Sequence, residues 1–332
     1  MNRLPNDPPV ILLVGDQGQV GWELRRTLAP LGRVTSVDYP EVNLAEGDSV
    51  RGWVKRVQPQ IIVNAAAYTA VDKAESETDL AMKINGQAPG ILAEEAKKLG
   101  ALLVHYSTDY VYDGCKSSPY VEEDAPNPLS AYGRSKLAGD LAVRQVDGAH
   151  LIFRLCWVYG TRGHNFMLTM QRLARERETL RVVRDQTGCP TWSRLIAEST
   201  AQAVGRVLGH PRGQRAEGRD QVSGFSISAF QRFSVSAFQR FSISDLSPLW
   251  GVYHLAASGS TSWHGFAQVI VDLMPLEERK CRKVEAIRTE EYPLPAQRPA
   301  CSVLGCDKLR RVFGLGLPDW EEQLKLASGV AA

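Results

Sequence analysis

Tyr132 and Lys136 stand four residues apart in Ser130-Ala131-Tyr132-Gly133-Arg134-Ser135-Lys136, at the start of an apolar-periodic segment running from Leu137 to Val146. On a helix, positions i and i+4 share a face, so the phenol and the ammonium can reach one site. A phenol titrates near about 10 and is a poor acid at neutral pH. A neighbouring cation favours the phenolate and lowers that value. Such a pair can hand a proton to a carbonyl oxygen while a hydride arrives at its carbon. The same spacing also occurs on ordinary solvated helix faces, so the pair takes its meaning from what surrounds it.

Upstream, the chain supplies elements that can position such a pair. Val10-Ile11-Leu12-Leu13-Val14 is a continuous apolar run, as expected of a strand buried on both faces of a parallel sheet. Gly15-Asp16-Gln17-Gly18-Gln19-Val20-Gly21 follows, then a helical pattern from Trp22 to Leu28. Strand, Gly-x-x-Gly-x-x-Gly and helix form the context in which glycines let a pyrophosphate approach the backbone and a helix N-terminus stabilises it. A second strand, Arg33 to Val37, ends in Asp38. An acid at that distance from the glycines accepts from adenosine ribose hydroxyls and repels a 2′-phosphate, an expectation that favours NADH over NADPH.

Further strands are expected at Gln60–Val63, Ala101–Val104 and Leu151–Leu155, with a helix over Pro89–Leu99. The third strand runs into Asn64-Ala65-Ala66-Ala67-Tyr68-Thr69, small residues that leave room for a ligand. The fourth runs into His105-Tyr106-Ser107-Thr108-Asp109, which brings hydroxyls to a strand end; His105 reads as a packed core residue. Open α/β sheets bind ligands at the carboxyl ends of their strands. The alternation implies an α/β fold with a Rossmann-type doubly wound parallel sheet. Past Tyr159 the pattern changes to helices near Phe166–Arg177 and Arg194–Leu208 separated by loops, which implies a smaller mixed α/β substrate domain. Strand-like Gly251–Leu255 and a helix near Ser262–Asp272 follow.

Composition excludes little chemistry but several partners. The chain has 332 residues, 23% charged and 44% hydrophobic, with a net charge of +2 from 39 basic and 37 acidic side chains. That balance gives no reason to expect nucleic acid or an anionic membrane surface. No run is long and apolar enough to span a bilayer. The six cysteines are scattered with no Cys-x-x-Cys, which reads as reduced cytoplasmic thiols and no metal cluster. Met1 to Pro9 reads as a flexible tail. Phe225-Ser226-Ile227-Ser228-Ala229-Phe230-Gln231-Arg232 is nearly repeated at Phe233–Arg240 and begins again at Phe241. An aromatic–arginine platform for single-stranded nucleic acid is one reading of it. The reading adopted is a duplicated insertion, spanning about 211–248, in a surface loop.

Taken together, the glycine motif, Asn64-Ala65-Ala66-Ala67-Tyr68-Thr69-Ala70-Val71-Asp72-Lys73-Ala74-Glu75, Ser107-Thr108-Asp109-Tyr110-Val111-Tyr112 and the Tyr132/Lys136 pair occur in the order that resembles the extended short-chain dehydrogenase/reductases. Within them the chain resembles the dTDP-4-dehydrorhamnose reductases, with support from Trp157-Val158-Tyr159, Asp185-Gln186, Pro190-Thr191 and Tyr253-His254-Leu255. The resemblance implies reduction of dTDP-4-dehydro-L-rhamnose at C4 by NADH or NADPH. It implies catalytic Tyr132, Lys136 and Thr108, and Asp109 and Trp157 against the sugar. Gly15, Gln17, Gly18, Gln19, Val20, Gly21, Asp38, Asn43, Leu44, Ala66, Ala67, Tyr68 and Thr69 would line the dinucleotide, together with Tyr132 and Lys136. Asn85 is a candidate for a proton relay or a cap. Residues 10–158 would form the NAD(P)-binding domain, and 159–325, partly interleaved with it, the sugar-nucleotide domain.

A homodimer is implied as well. Magnesium-linked members carry carboxylates near the positions of Glu23 and Arg194, and an arginine at the second puts that metal in doubt. Val303 stands where a basic residue would meet the nucleotide diphosphate. Related 4,6-dehydratases carry a glutamate where this chain has Tyr110, which speaks against water elimination. A non-catalytic reading, resembling the regulatory subunit of methionine adenosyltransferase, is opposed by intact Tyr132, Lys136 and Thr108.

Overall fold

The computed structural model describes residues 7–209 and 249–329, so the octapeptide repeat lies outside the described residues. The first half alternates strands and helices: β1 (Val10–Val14), α1 (Gln19–Leu28), β2 (Arg33–Val37), α2 (Gly47–Val57), β3 (Ile61–Asn64), the single-turn α3 (Thr78–Ala81), α4 (Ala88–Leu99), β4 (Leu102–Thr108), α5 (Ala131–Val146) and β5 (His150–Leu155). A π-helical segment, Met82–Gln87, joins α3 to α4. The second half holds β6 (Val158–Tyr159), α6 (Phe166–Glu176), β7 (Thr179–Val183), β8 (Thr187–Gly188), β9 (Thr191–Trp192) and α7 (Ser193–Gly209). After the repeat come β10 (Gly251–His254), β11 (Thr261–Ser262), α8 (Trp263–Asp272), β12 (Lys283–Ile287), α9 (Asp307–Phe313) and α10 (Trp320–Ser328).

The main sheet has six parallel strands in the order β10-β5-β4-β3-β1-β2. Its apolar strands are buried on both faces because helices cover both. One face packs Leu24 and Leu28 of α1, Ile196, Ala203 and Val207 of α7 and Phe313 of α9 against Ile11, Val63, Val104 and Phe153. The other packs Val50 and Val54 of α2, Leu92 and Ala96 of α4 and Val143 of α5 against Leu12, Ile62, Leu103 and Ile152. The chain leaves β1 toward β2 and returns on β1's other side as β3. This reversal opens a crevice at the carboxyl ends of β1 and β3, where ligands bind in such sheets.

A separate apolar cluster joins Met167, Met170 and Ala174 of α6, Val182 of β7, Phe266 and Ile270 of α8, Val284 of β12 and Leu324 of α10. β7 and β12 pair in parallel within it. Two segments beyond residue 158 nonetheless complete the first layer: α7 lies on α1, and β10 extends the sheet beside β5.

β4 takes in His105, a packed core residue as expected, and runs farther than expected, through Tyr106 and Ser107 to Thr108. The reason is two-sided burial. Tyr106 joins the core on the α7 side, and its hydroxyl lies 2.8 Å from Thr200 Oγ1. His105 is fully buried, its Nδ1 lying 3.2 Å from Asn64 Nδ2 on β3.

Candidate active site

The loop after β1 is shaped by its glycines. Gly15 adopts φ +88°, a region closed to most side chains, and a Cβ there would overlap the Ala66 backbone nitrogen. A Cβ at Gly21 would overlap the Gly15 carbonyl oxygen. The two positions let α1, the loop and the β3 end come within backbone contact. Gly18 caps α1 with no side-chain hydrogen bond, and the first turn carries no acidic residue. The N–H groups of that turn therefore keep their capacity for an anion. Among the neighbours, the Gln19 Oε1 is buried without a hydrogen-bond partner, and Val20 packs on the core.

Asp38, after β2, faces the same loop. Its Oδ2 accepts from the Gln17 backbone N–H at 2.8 Å and its Oδ1 from Tyr39 N–H at 2.7 Å. Each oxygen keeps a lone pair for a further donor. Asn43 is occupied locally, accepting from Ala45 N–H at 3.0 Å and donating to Glu46 Oε1 at 2.8 Å. Leu44 places its side chain in the core, so it offers a ligand only its backbone.

The loop after β3 carries Ala66, Ala67, Tyr68 and Thr69, half-buried except for exposed Thr69. It is pinned to α5 by Asn85 of the π-helical segment. Tyr68 N–H donates to Asn85 Oδ1 at 2.9 Å, and Asn85 Nδ2 donates to Tyr68 O at 2.9 Å and Ser135 Oγ at 3.0 Å. An amide side chain thus pairs with a peptide unit on both its groups. Glu75, farther along the loop, accepts from the Ala131 N–H at 2.7 Å at the start of α5.

Ser130 caps α5 by accepting from Gly133 N–H at 3.1 Å, which sets the first turn carrying Tyr132. Tyr132 and Tyr68 both pack on the small cluster of Ala74, Ala81 and Ala131, and Tyr132 meets Tyr110 edge-on at 5.6 Å. Burial pushes its phenol up to about 12; contact with the Thr108 hydroxyl lowers it, and the Asp109 and Asp140 charges raise it. The expected depression by Lys136 is thus not seen. Lys136 is 2% exposed and donates Nζ to the Tyr106 carbonyl at 2.6 Å, and burial lowers its own pKa to about 8.

Thr108 ends β4, donating Oγ1 to Asp109 Oδ1 at 3.0 Å. Asp109 is 2% exposed, and burial raises its carboxyl to about 6. Its Oδ2 accepts from the Cys156 thiol at 3.3 Å. Trp157 follows β5 with φ +42°, a sparsely populated region for a bulky residue. It is held by a stack on Trp263 at 3.5 Å and 7°, and by Gly188, where a Cβ would lie 2.5 Å from Trp157 Cε2. Arg298 closes the far side: Nη1 and Nη2 donate to Asp72 Oδ1 at 3.0 Å and Oδ2 at 2.7 Å, tying the C-terminal segment to the loop after β3.

With this arrangement in view, the family described as "RmlD substrate binding domain" matches residues 10–216 and 232–329. The chain belongs to this family. A dTDP-4-dehydrorhamnose reductase of Burkholderia thailandensis is 44% identical over 317 residues, covering 93% of this chain and 95% of the relative. A solved dTDP-4-dehydrorhamnose reductase of Clostridium acetobutylicum superposes with a TM-score of 0.78 at 32% identity, covering 97% of this chain and 99% of the other. One from Bacillus anthracis, in complex with NADP, gives 0.78 at 31% identity, covering 96% and 98%.

The family's magnesium link does not fit the donors here. Arg194 Nε lies 3.3 Å from Glu198 Oε1, and Arg26 Nη2 lies 3.1 Å from the same oxygen and 3.4 Å from Glu23 Oε2. Magnesium takes oxygen ligands, and these carboxylates face guanidinium groups instead. Val303 uses its backbone carbonyl to accept from Tyr120 N–H at 2.8 Å. Glu75 closes the motif that begins at Asn64, and Arg298-Pro299 keeps the family pattern, but the sequence assigned neither a role, because each acts through a partner distant along the chain.

Proposed function

We propose that the protein reduces the C4 ketone of dTDP-4-dehydro-L-rhamnose to dTDP-L-rhamnose with NADH or NADPH, in the supply of rhamnose for cell-surface polysaccharide. The observation that supports this reading is the contact of the Tyr132 phenol with the Thr108 hydroxyl, one helical turn before buried Lys136, in a fold whose first strand ends in a glycine-shaped loop. Family membership and the reductases at 44% and 32% identity support the substrate.

The reduced nicotinamide, when bound, supplies a hydride to the sugar C4. Gly15, Gly18 and the first turn of α1 would hold the pyrophosphate, and Asp38 the adenosine ribose. Tyr68 and Ala67 would line the nicotinamide half, with Lys136 on its ribose. Tyr132 is the proton donor. With its pKa near about 12 the phenol is fully protonated at neutral pH. It gives that proton to the carbonyl oxygen as negative charge develops there, a transfer worth about 10²–10⁴ in rate. Thr108 holds the same oxygen and orients it. The Trp157–Trp263 stack offers a flat apolar wall for one face of the sugar, and Asp109 a buried acceptor.

A homodimer and a cytoplasmic location belong to the same reading. Among the described residues, no helix is long and apolar enough to cross a membrane. The test is product identification. Protein, cofactor and dTDP-4-dehydro-L-rhamnose should give dTDP-L-rhamnose by mass and proton NMR. Unreacted sugar in the presence of folded, cofactor-binding protein would refute the proposal.

A further inference from the structure

One turn beyond Lys136 on the same helix, Asp140 is fully buried. Its Oδ2 lies 3.2 Å from Nε of Arg154 on β5, itself 2% exposed. Its Oδ1 is buried, and burial raises its carboxyl, opposed by Arg154, the Ser107 hydroxyl and Lys136, each of which favours the carboxylate. Arg154 reaches onward, donating Nη1 to the Tyr112 hydroxyl at 2.7 Å. Lys136, by contrast, has a neutral carbonyl as its direct partner. A cation and an anion at i and i+4 lie on one helix face. Asp140 therefore stands between two buried cations.

We infer that Asp140 is a positioning residue for the reaction: its carboxylate, shared between Arg154 and Lys136, keeps Lys136 an ammonium inside the fold. This rests on the reductase reading above. Burial drives the lysine toward neutrality, and Asp140 is the charge that opposes it. Removing the carboxylate would leave Lys136 and Arg154 as uncompensated buried cations, and the lysine, the weaker base, would shed its proton first.

The other groups around Lys136 do not substitute for it. His105 on β4 is held neutral by burial and by Lys136 itself. Tyr132 on α5 and Tyr110 on the turn after β4 have their phenols pushed up by burial, and Asp109 bonds Thr108 and Cys156. Of the charged residues on helices and turns packed against α5, Glu75 engages its first turn and Lys97 the carbonyl of Val146 at its end, while Asp79 and Lys83 are exposed.

The test is the titration of Lys136, followed by ¹³C NMR of ε-labelled lysine with Lys136→Arg for assignment, beside the pH profile of kcat. In the unaltered protein the lysine should titrate near about 8, with the alkaline limb of kcat at the same pH. In Asp140→Asn both should fall by about one pH unit or more, cutting turnover by about fivefold or more at pH 8 and by about tenfold at pH 9. Asp140→Glu, which keeps the charge, should restore both. Asp140→Asn combined with Arg154→Met removes opposite charges together and should return the lysine to near its original titration.

Folded Asp140→Asn with an unmoved titration overturns the inference, and so does a shift in Asp140→Glu as large as in Asp140→Asn. Should the single Asn variant not fold, the double variant decides. Loss of Arg154 alone would raise the lysine, so a rise of about one unit or more there would show that Asp140 had no hold on it. The NMR titration needs no turnover, so its outcome is independent of whether the sugar is reduced.

Discussion

Asp109 is a carboxylic acid that the fold holds at a cost, and its replacement by Asn should show that cost. The group is 2% exposed, and burial raises its carboxyl from 3.8 to about 6. Below the lower value it is protonated folded or unfolded, and ionisation costs nothing. Above the higher it is ionised in both states, and the folded state carries the full penalty. Stability is therefore lost as pH rises from about 4 to about 6. The shift of about 2 units at about 1.4 kcal/mol each sets an upper value of about 3 kcal/mol.

Asparagine keeps a carbonyl oxygen to accept from the Thr108 hydroxyl and carries no charge. Asp109→Asn should be more stable than the unaltered protein by about 1–3 kcal/mol at pH 7.5. The gain should shrink toward pH 5, and turnover should fall. Urea denaturation of both proteins at pH 5, 6 and 7.5 measures the gain as a difference in midpoint. A variant no more stable at pH 7.5, or a gain that does not shrink with acid, would refute the argument that burial of this carboxylate strains the fold.

Tyr132→Phe keeps the ring and removes the proton donor, so kcat should drop by about 10²–10⁴ while cofactor affinity, read by fluorescence titration, stays within about twofold. Gly188→Ala puts a Cβ 2.5 Å from Trp157 Cε2. It should displace the indole from its stack on Trp263, raise KM for the sugar by about tenfold or more and leave cofactor binding intact. Asp38→Ser removes an anion from the adenosine ribose site. The ratio of kcat/KM for NADPH to that for NADH should rise by about tenfold, about 1.4 kcal/mol, and an unchanged ratio would show that Asp38 does not face the 2′ position.

The parallel sheet was legible because its strands are short apolar runs whose burial needs no information from elsewhere. β1 and β2 stand where the residues imply and β5 within one residue, while α1 begins at Gln19, three residues before the helical pattern and inside the glycine motif. The tail of β4 was obscured because His105, Ser107 and Thr108 are polar residues that are buried by neighbours. α2 was obscured for the opposite reason, with only Val50 and Val54 of its residues buried. β10 beside β5, and β12 beside β7, pair segments about a hundred residues apart, which no local pattern specifies. At the site, the Tyr132/Lys136 spacing was readable from helical geometry. The environment that sets their protonation was not, since the Tyr106 carbonyl and Arg154 reach it only through packing, and the complete burial of Asp140, one turn beyond Lys136, has no local signal. Asn85 shows the same limit: an isolated asparagine in sequence becomes, through a π-helical segment, the clamp between the loop after β3 and α5.

The central claim is that a hydride passes to C4 of the sugar while Tyr132 supplies the proton. Its most direct measurement is isotope transfer from NADPH or NADH deuterated at the nicotinamide C4 to dTDP-4-dehydro-L-rhamnose, read by NMR of the product. Deuterium should appear at C4 of dTDP-L-rhamnose, with Tyr132→Phe forming this product at least about a hundredfold more slowly. Cofactor oxidation without deuterium at C4, or equal product formation by Tyr132→Phe, would contradict it.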